Sequence, residues 1–408
     1  MARLFPFEYI CIPMILCAAG TSPAGGPDFV TDSAPENLAR GNTGFAADLY
    51  LRLSEEEDGN LFFSPYSISS ALAMTYAGAR GDTREQMSDV LHFNLEDSML
   101  HSAFASLELE IEWDSHTGTG LILRSVSALW GQEGYPFLQE YSDLLQSYYG
   151  AGIRQADFSS EPEEYRDRIN EFVSENTGGR IPELIPCGVI TTATRLVLSN
   201  AIYFMSDWKV QFDPMATAPR GFTLLDGSRV EVPTMTASEH FRTAAGDGWK
   251  AVELPYSGET AFMLVIVPDS GRFGEIEARM STGFIEEVRG CLRDENLMLR
   301  MPGFQTTSAL MLEETLESMG MTDAFGPGAD FSGMDGAGWL YISSVVHQAT
   351  ITVDEQGTEA SAATAVVMVK LNGESVTYFS VDRPFIHLII HGGTGSLLFM
   401  GRMLDPRE

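Results

Sequence analysis

The spacing of apolar residues changes character midway along the chain, and this change limits the fold more than any other feature. In the first half they recur at helical spacing. Phe45, Leu49 and Leu53 lie one turn apart. "FSPYSISSALAMTYAGARG" offers Ser64 as N-cap, Pro65 at the first helical position and Gly78 near the stop. "DTREQMSDVLHF" predicts a capping box from Thr83 and Gln86. "EPEEYRDRINEFVSENTGG" sets Tyr165, Ile169, Phe172 and Val173 on one face, with glycines ending the helix. From Thr194 onward the pattern becomes β-branched and aromatic runs bounded by turn residues: "TRLVLSNAIYF", "WKAVELPY", "AFMLVIVPD", "ISSVVHQATITVDE", "PFIHLII" and "SLLFMGRM". One helix interrupts them, with Leu312, Leu316 and Met319 on one face and Gly320 after it. Helices first and strands later predict an α+β fold with large, mainly antiparallel or mixed sheets.

No linker, repeat or low-complexity run follows residue 33, so residues 34–408 are expected to form one domain. The start, "MARLFPFEYICIPMILCAAGTSPAGG", has one Arg, an apolar stretch and then small residues. It is expected to be a secretory signal over residues 1–19, followed by a flexible segment over 20–33 and an extracellular or cell-envelope location. The 25 basic against 57 acidic residues give a net charge of −32, which disfavours nucleic acid and anionic membranes as partners. Beyond the presumed signal only Cys187 and Cys291 remain, too few for a disulfide framework or a zinc site.

The chemistry-bearing motifs are missing. There is no G-x-S-x-G elbow, phosphate loop, H-E-x-x-H or complete G-x-G-x-x-G, so the chain does not read as an enzyme and no cofactor is expected. His387 and His391 in "HLIIH" would chelate a metal on a helix. On a strand, as this segment reads, they lie about 13 Å apart and are expected to be structural.

One stretch fits no ordinary role: "DEQGTEASAATAVVMVKLNGESV", residues 354–376. Split by strand parity, one face carries Thr358, Ala360, Ala362, Thr364, Val366 and Met368, all small or apolar. The other carries Glu359, Ser361, Ala363, Ala365, Val367 and Val369. No charge occurs from Ala360 to Val369, and no proline that would break a ladder. Gly357 could serve as a hinge. The segment fits inside a sheet, yet it runs into "KLNGES", which favours solvent.

"VVHQATITVDEQGTEASAATAVV" resembles the hinge and proximal reactive-centre loop of serpins, the serine protease inhibitors. So do, in the family's order, "NLFFSPYSISSALAMTYAGARGDTREQM", "ENTGGRIPELI", "TRLVLSNAIYFMSDWKVQF", "VELPYSG", "ADFSGM", "LYISSVVHQA" and "FSVDRPFIHLII…GSLLFMGRM". The resemblance spans residues 36–406. It implies a single domain with a large central sheet, two smaller sheets, about eight or nine helices and a reactive-centre loop at about 355–378. It further implies a monomer that traps serine proteases covalently. The protease cleaves the loop and is acyl-linked to it, and the loop then inserts as a new central strand. Insertion adds on the order of ten backbone hydrogen bonds at ~1 kcal/mol each, comparable to a domain's whole stability, so the intact form is kinetically trapped.

Counted from Gly357, the resemblance puts the recognised side chain at Leu371, with cleavage before Asn372. Leu371 suits a chymotrypsin-like or subtilisin-like protease; the alternative bond, Lys370–Leu371, suits a trypsin-like one. The hinge comprises Glu355, Gly357, Thr358, Glu359, Ala360, Ser361, Ala362, Ala363 and Thr364. Ser64, Ser67, Asn200 and His347 match the polar shutter beneath the central sheet, and Trp208 matches the breach at its top. Family members activated by heparin carry basic helices where Leu91–Trp113 has no Lys or Arg, so heparin is not an expected cofactor. A serpin fold that stores, chaperones or carries rather than inhibits is the alternative, and its hinge would tend to be charged or bulky.

Overall fold

The structure, a computed structural model, describes residues 34–116, 121–338, 340–358 and 377–408. The expected signal over 1–19, the segment 20–33, the hinge residues Glu359, Ala360, Ser361, Ala362, Ala363 and Thr364, and both candidate reactive bonds (Leu371–Asn372 and Lys370–Leu371) lie outside the described residues.

The first six helices all precede the strand-rich part of the chain, beginning with α1 (Ala34–Glu56), α2 (Pro65–Tyr76), α3 (Gly81–Val90), α4 (Asp97–His116) and α5 (Gln139–Tyr149). Then follow α6 (Pro162–Asn176), α7 (Phe273–Glu277), α8 (Thr282–Cys291), α9 (Glu313–Ser318) and α10 (Ser332–Asp335). The early strands are β1 (Leu61–Phe63), β2 (Ile122–Gln132), β3 (Ile153–Ala156), β4 (Leu196–Asp207) and β5 (Ala218–Thr223). Next come β6 (Arg229–Gly246), β7 (Trp249–Pro255), β8 (Ala261–Pro268), β9 (Arg293–Pro302) and β10 (Phe304–Met311). The chain closes with β11 (Ser344–Val353), β12 (Gly357–Thr358), β13 (Thr377–Ser380), β14 (Phe385–His391) and β15 (Leu397–Met403).

Ten α-helices are present among the described residues, against the eight or nine expected, because α7, α9 and α10 are short segments of four to six residues. The sheets also differ from expectation. A six-stranded sheet runs β10-β11-β12-β4-β2-β3, and a nine-stranded sheet runs β1-β15-β14-β8-β7-β6-β9-β13 with β5 on β6. The two smaller sheets expected separately are joined here. The 18-residue β6 bonds β9 along Thr234–Thr243 and β7 along Arg242–Gly246, so one strand belongs to both.

Strands β4 and β11 are buried on both faces, which explains their nearly unbroken apolar runs. Leu196, Leu198, Ile202 and Phe204 face the main core with α1 and α2. Val197, Ala201 and Val346 face the other way, against Ile169 and Val173 of α6.

The capping signals divide. Ser64 caps α2 as expected, its hydroxyl accepting from the Ser67 N–H at 3.2 Å. The capping box expected at α3 does not form, and its N-cap, Arg80, makes no side-chain cap. Thr83 Oγ1 instead accepts from the Asp330 N–H at 2.9 Å, and Gln86 Oε1 accepts from the Asp323 N–H at 2.8 Å. Both side chains satisfy backbone donors of a distant segment rather than those of their own helix.

Candidate functional site

The six-stranded sheet contains a slot that is occupied at one end and closed at the other. Parallel β4 and β11 pair directly from Val197–Ser344 to Tyr203–Thr350. Beyond that point they part. The chain leaves β11, turns through Asp354–Gln356 and re-enters between the two strands as β12, pairing Thr358 with Val353 and with Ser206, and Gly357 with Asp207.

The turn is held from within and from outside. Asp354 Oδ1 accepts from the N–H groups of Gln356 at 2.8 Å and Gly357 at 3.1 Å. Trp208 donates its indole N–H to the Asp354 carbonyl at 3.0 Å and its backbone N–H to the Gln356 carbonyl at 2.8 Å. Glu355 accepts twice: its carbonyl from the Phe212 N–H at 2.9 Å, and its carboxylate from the Thr217 hydroxyl at 2.7 Å. Gly357 admits no side chain, since a Cβ there would sit 2.2 Å from the Ser206 carbonyl oxygen.

Thr358 is fully buried, and its hydroxyl shares a 2.8 Å hydrogen bond with the Tyr256 hydroxyl. Tyr256 is itself buried, stacked on Trp208 at 4.5 Å and edge-on to Phe204 at 4.9 Å. Thr358 therefore projects to the same side of the sheet as Phe204, the main-core side.

Farther down the closed seam, His347 of β11 stands opposite Asn200 of β4. His347 Nε2 accepts from the Ser64 backbone N–H at 3.1 Å. That leaves Nδ1 as the protonated nitrogen, donating to Asn200 Oδ1. Burial pushes the His347 imidazole down to about 3, so the ring is neutral across the physiological range. Asn200 donates to the hydroxyls of Ser67 and Ser127, each at 2.7 Å, and Ser67 pairs with Ser125 at 2.9 Å. Ser64 donates to the Leu398 carbonyl at 2.6 Å, tying the network to β15. The structure thus brings Ser64, Ser67, Asn200 and His347 together across the line where β4 meets β11. Trp208, Glu355, Gly357 and Thr358 gather at its open end.

The serpin family profile, described as "Serpin (serine protease inhibitor)", matches residues 40–406. The chain belongs to the serpin family. This serpin is 38% identical over 391 residues to an uncharacterized serpin-like protein of Thermococcus kodakarensis, covering 95% of this chain and 90% of the relative. It is 37% identical over 385 residues to the human leukocyte elastase inhibitor, covering 91% of this chain and all of the relative. Among solved structures, human thyroxine-binding globulin complexed with its ligand superposes with a TM-score of 0.84 at 29% identity, covering 92% of this chain and 100% of that one.

Several residues of the serpin's slot escaped the sequence reading. Ser125 and Ser127 carried a usable signal, since they alternate on β2 toward the face that receives Asn200. Tyr256 and Thr217 carried none, because each meets the hinge only through the tertiary fold. His387 and His391 lie on β14 as a strand, both buried. Neither ring nitrogen of His387 has a hydrogen-bond partner, and the ring stacks on Phe62 at 5.7 Å. Cys187 and Cys291 are free and exposed.

Proposed function

We propose that this serpin is a suicide-substrate inhibitor of serine proteases, not a catalyst. A target protease cleaves at Leu371–Asn372, or at Lys370–Leu371 if it is trypsin-like, and remains acyl-linked while the freed loop extends β12 down the slot. The observation that carries this reading is the entry of Gly357 and Thr358 between β4 and β11, with Thr358 facing the core. Strand alternation from that point sends Ala360, Ala362, Thr364, Val366 and Met368 inward, all of them small or apolar. Glu359, Ser361, Ala363 and Ala365 follow on the opposite face, toward α6. Each further step must part the β4–β11 seam, including the His347–Asn200 bond. Downstream of the loop, β13 is held on β9 from Thr377 to Ser380, so cleavage is what frees the upstream arm.

The reading includes export through residues 1–19 and action as a monomer. The test is incubation with chymotrypsin, subtilisin, elastase and trypsin. The expected result is an SDS-stable adduct with at least one of them, release of a C-terminal peptide beginning at Asn372 or Leu371, and a cleaved form that melts well above the intact one. The likeness to thyroxine-binding globulin favours a second reading, a carrier that does not inhibit. That reading requires cleavage with no adduct and no rise in melting temperature.

A further inference from the structure

Arg52, Arg84, Arg166, Arg242, Arg272 and Arg402 each pair with a carboxylate. In a chain of 57 acidic and 25 basic residues this is the expected condition. Arg220, Arg229 and Arg300 are among the arginines for which no such pair is seen, and they are set apart by lying together. They line one cavity of about 390 Å³ between β5, the start of β6, the end of β9 and residues 380–382. None of the three is paired with a carboxylate among the described residues. The Nε atoms of Arg220 and Arg300 are buried with no hydrogen-bond partner. Arg300 is positioned by the Tyr378 ring, 4.7 Å beneath its guanidinium. Arg229 folds back over Gly221, where a Cβ would come within 2.5 Å of its Nη2, so the bare backbone beside Arg220 makes room for it. Two carboxylates also line the cavity. Asp382 is held by Arg383, and Glu231 lies exposed on the hairpin.

Three guanidinium groups that line one cavity without a paired carboxylate repel one another, and an oxyanion relieves that repulsion through charge-assisted and often bidentate hydrogen bonds. The geometry points to a binding site for a tetrahedral dianion, phosphate or sulfate, free or as an ester, held by Arg220, Arg229 and Arg300. Its position gives it a role. The Val381 N–H donates to the Arg300 carbonyl, and the Thr223 N–H donates to the Asp382 carbonyl, both at 2.8 Å. The site therefore joins β5 and β9 to the chain just after β13, the strand that anchors the downstream end of the reactive loop. A bound dianion cross-links these elements and resists the peeling of β13 from β9.

The test is titration calorimetry of the full chain with sodium sulfate and sodium phosphate at constant ionic strength in chloride. Glucose 6-sulfate and glucose 6-phosphate form a separate arm. The expected result is saturable one-site binding, weakened at least about tenfold in Arg220→Gln/Arg300→Gln, corresponding to ~1.4 kcal/mol. Exchange of the Thr377–Ser380 amides should slow when the site is filled. Arg229 is exposed, so Arg229→Gln carries the same test if the double variant fails to fold. Binding of the esters assigns an ester-linked ligand, and binding of the inorganic ions alone assigns a free one; both support the site. No saturable binding in either arm, or affinity unchanged in the folded variants, overturns it. Inhibition of a protease is not among the readouts, so the site and the inhibitory function stand or fall separately.

Discussion

Replacing Thr358 with Arg is the sharpest perturbation the slot offers. Thr358 is fully buried between β4 and β11, against the Tyr256 hydroxyl and near Phe204 and Trp208. A guanidinium there is a buried, unpaired charge, a disruption of about 3–5 kcal/mol. The lost Thr358–Tyr256 hydrogen bond adds ~1 kcal/mol. If about 3–5 kcal/mol opposes entry of the strand, insertion slows on the order of 10²–10⁴-fold. Hydrolysis of the acyl link then outruns trapping. Chymotrypsin whose active sites have been titrated should be incubated with each protein, and the moles of inhibitor consumed per mole of adduct counted on denaturing gels. Wild type and Thr358→Ser, which keeps the hydroxyl, should form adduct efficiently. Thr358→Arg should be cleaved and released. If Thr358→Arg forms adduct at the wild-type ratio, insertion at this slot is not the trapping step.

Other outcomes follow from the same geometry. His347→Ala removes the partner of Asn200 and of the Ser64 N–H, and should destabilise the intact form by about 2–3 kcal/mol in urea unfolding; an unchanged midpoint would contradict the network. His347 and His387 are both held neutral, pushed down to about 3 by burial, whereas an unfolded histidine titrates near 6.5. Their contribution is therefore complete above about pH 6.5 and is lost as pH falls toward 3, by up to ~1.4 kcal/mol per pH unit for each ring. Calorimetry from pH 4 to 8 should show this slope, and His387→Phe, set among Phe62, Phe304 and Phe385, should flatten it while raising the melting temperature. Gly357→Ala forces a methyl against the Ser206 carbonyl and should expel β12; loss of the contacts around Trp208 should then shift tryptophan emission to the red, and an unaltered spectrum would argue against the clash.

Local sequence marks many of the elements and their faces, although α8 and the strands β2, β6 and β9 carry no comparable signal and four helices rather than one interrupt the later strands. Helical spacing marks α1, α2 and α6; unbroken apolar runs mark β4 and β11, because both faces of those strands are covered. The parity of residues 358–368 already separates a small, apolar face from a mixed one, since alternation is a property of the local backbone. Partners are set by the folded chain. Thr358 meets Tyr256, 102 positions away, and that contact selects which face turns inward. Thr83 and Gln86 carry a perfect local capping signal, yet a segment more than 230 residues distant takes both side chains. The two smaller sheets merge because β6 is long enough to serve both, and three arginines scattered from 220 to 300 converge on one cavity. Periodicity is written within a dozen residues; which hydrogen-bonding group finds which acceptor depends on chain segments that no local window contains.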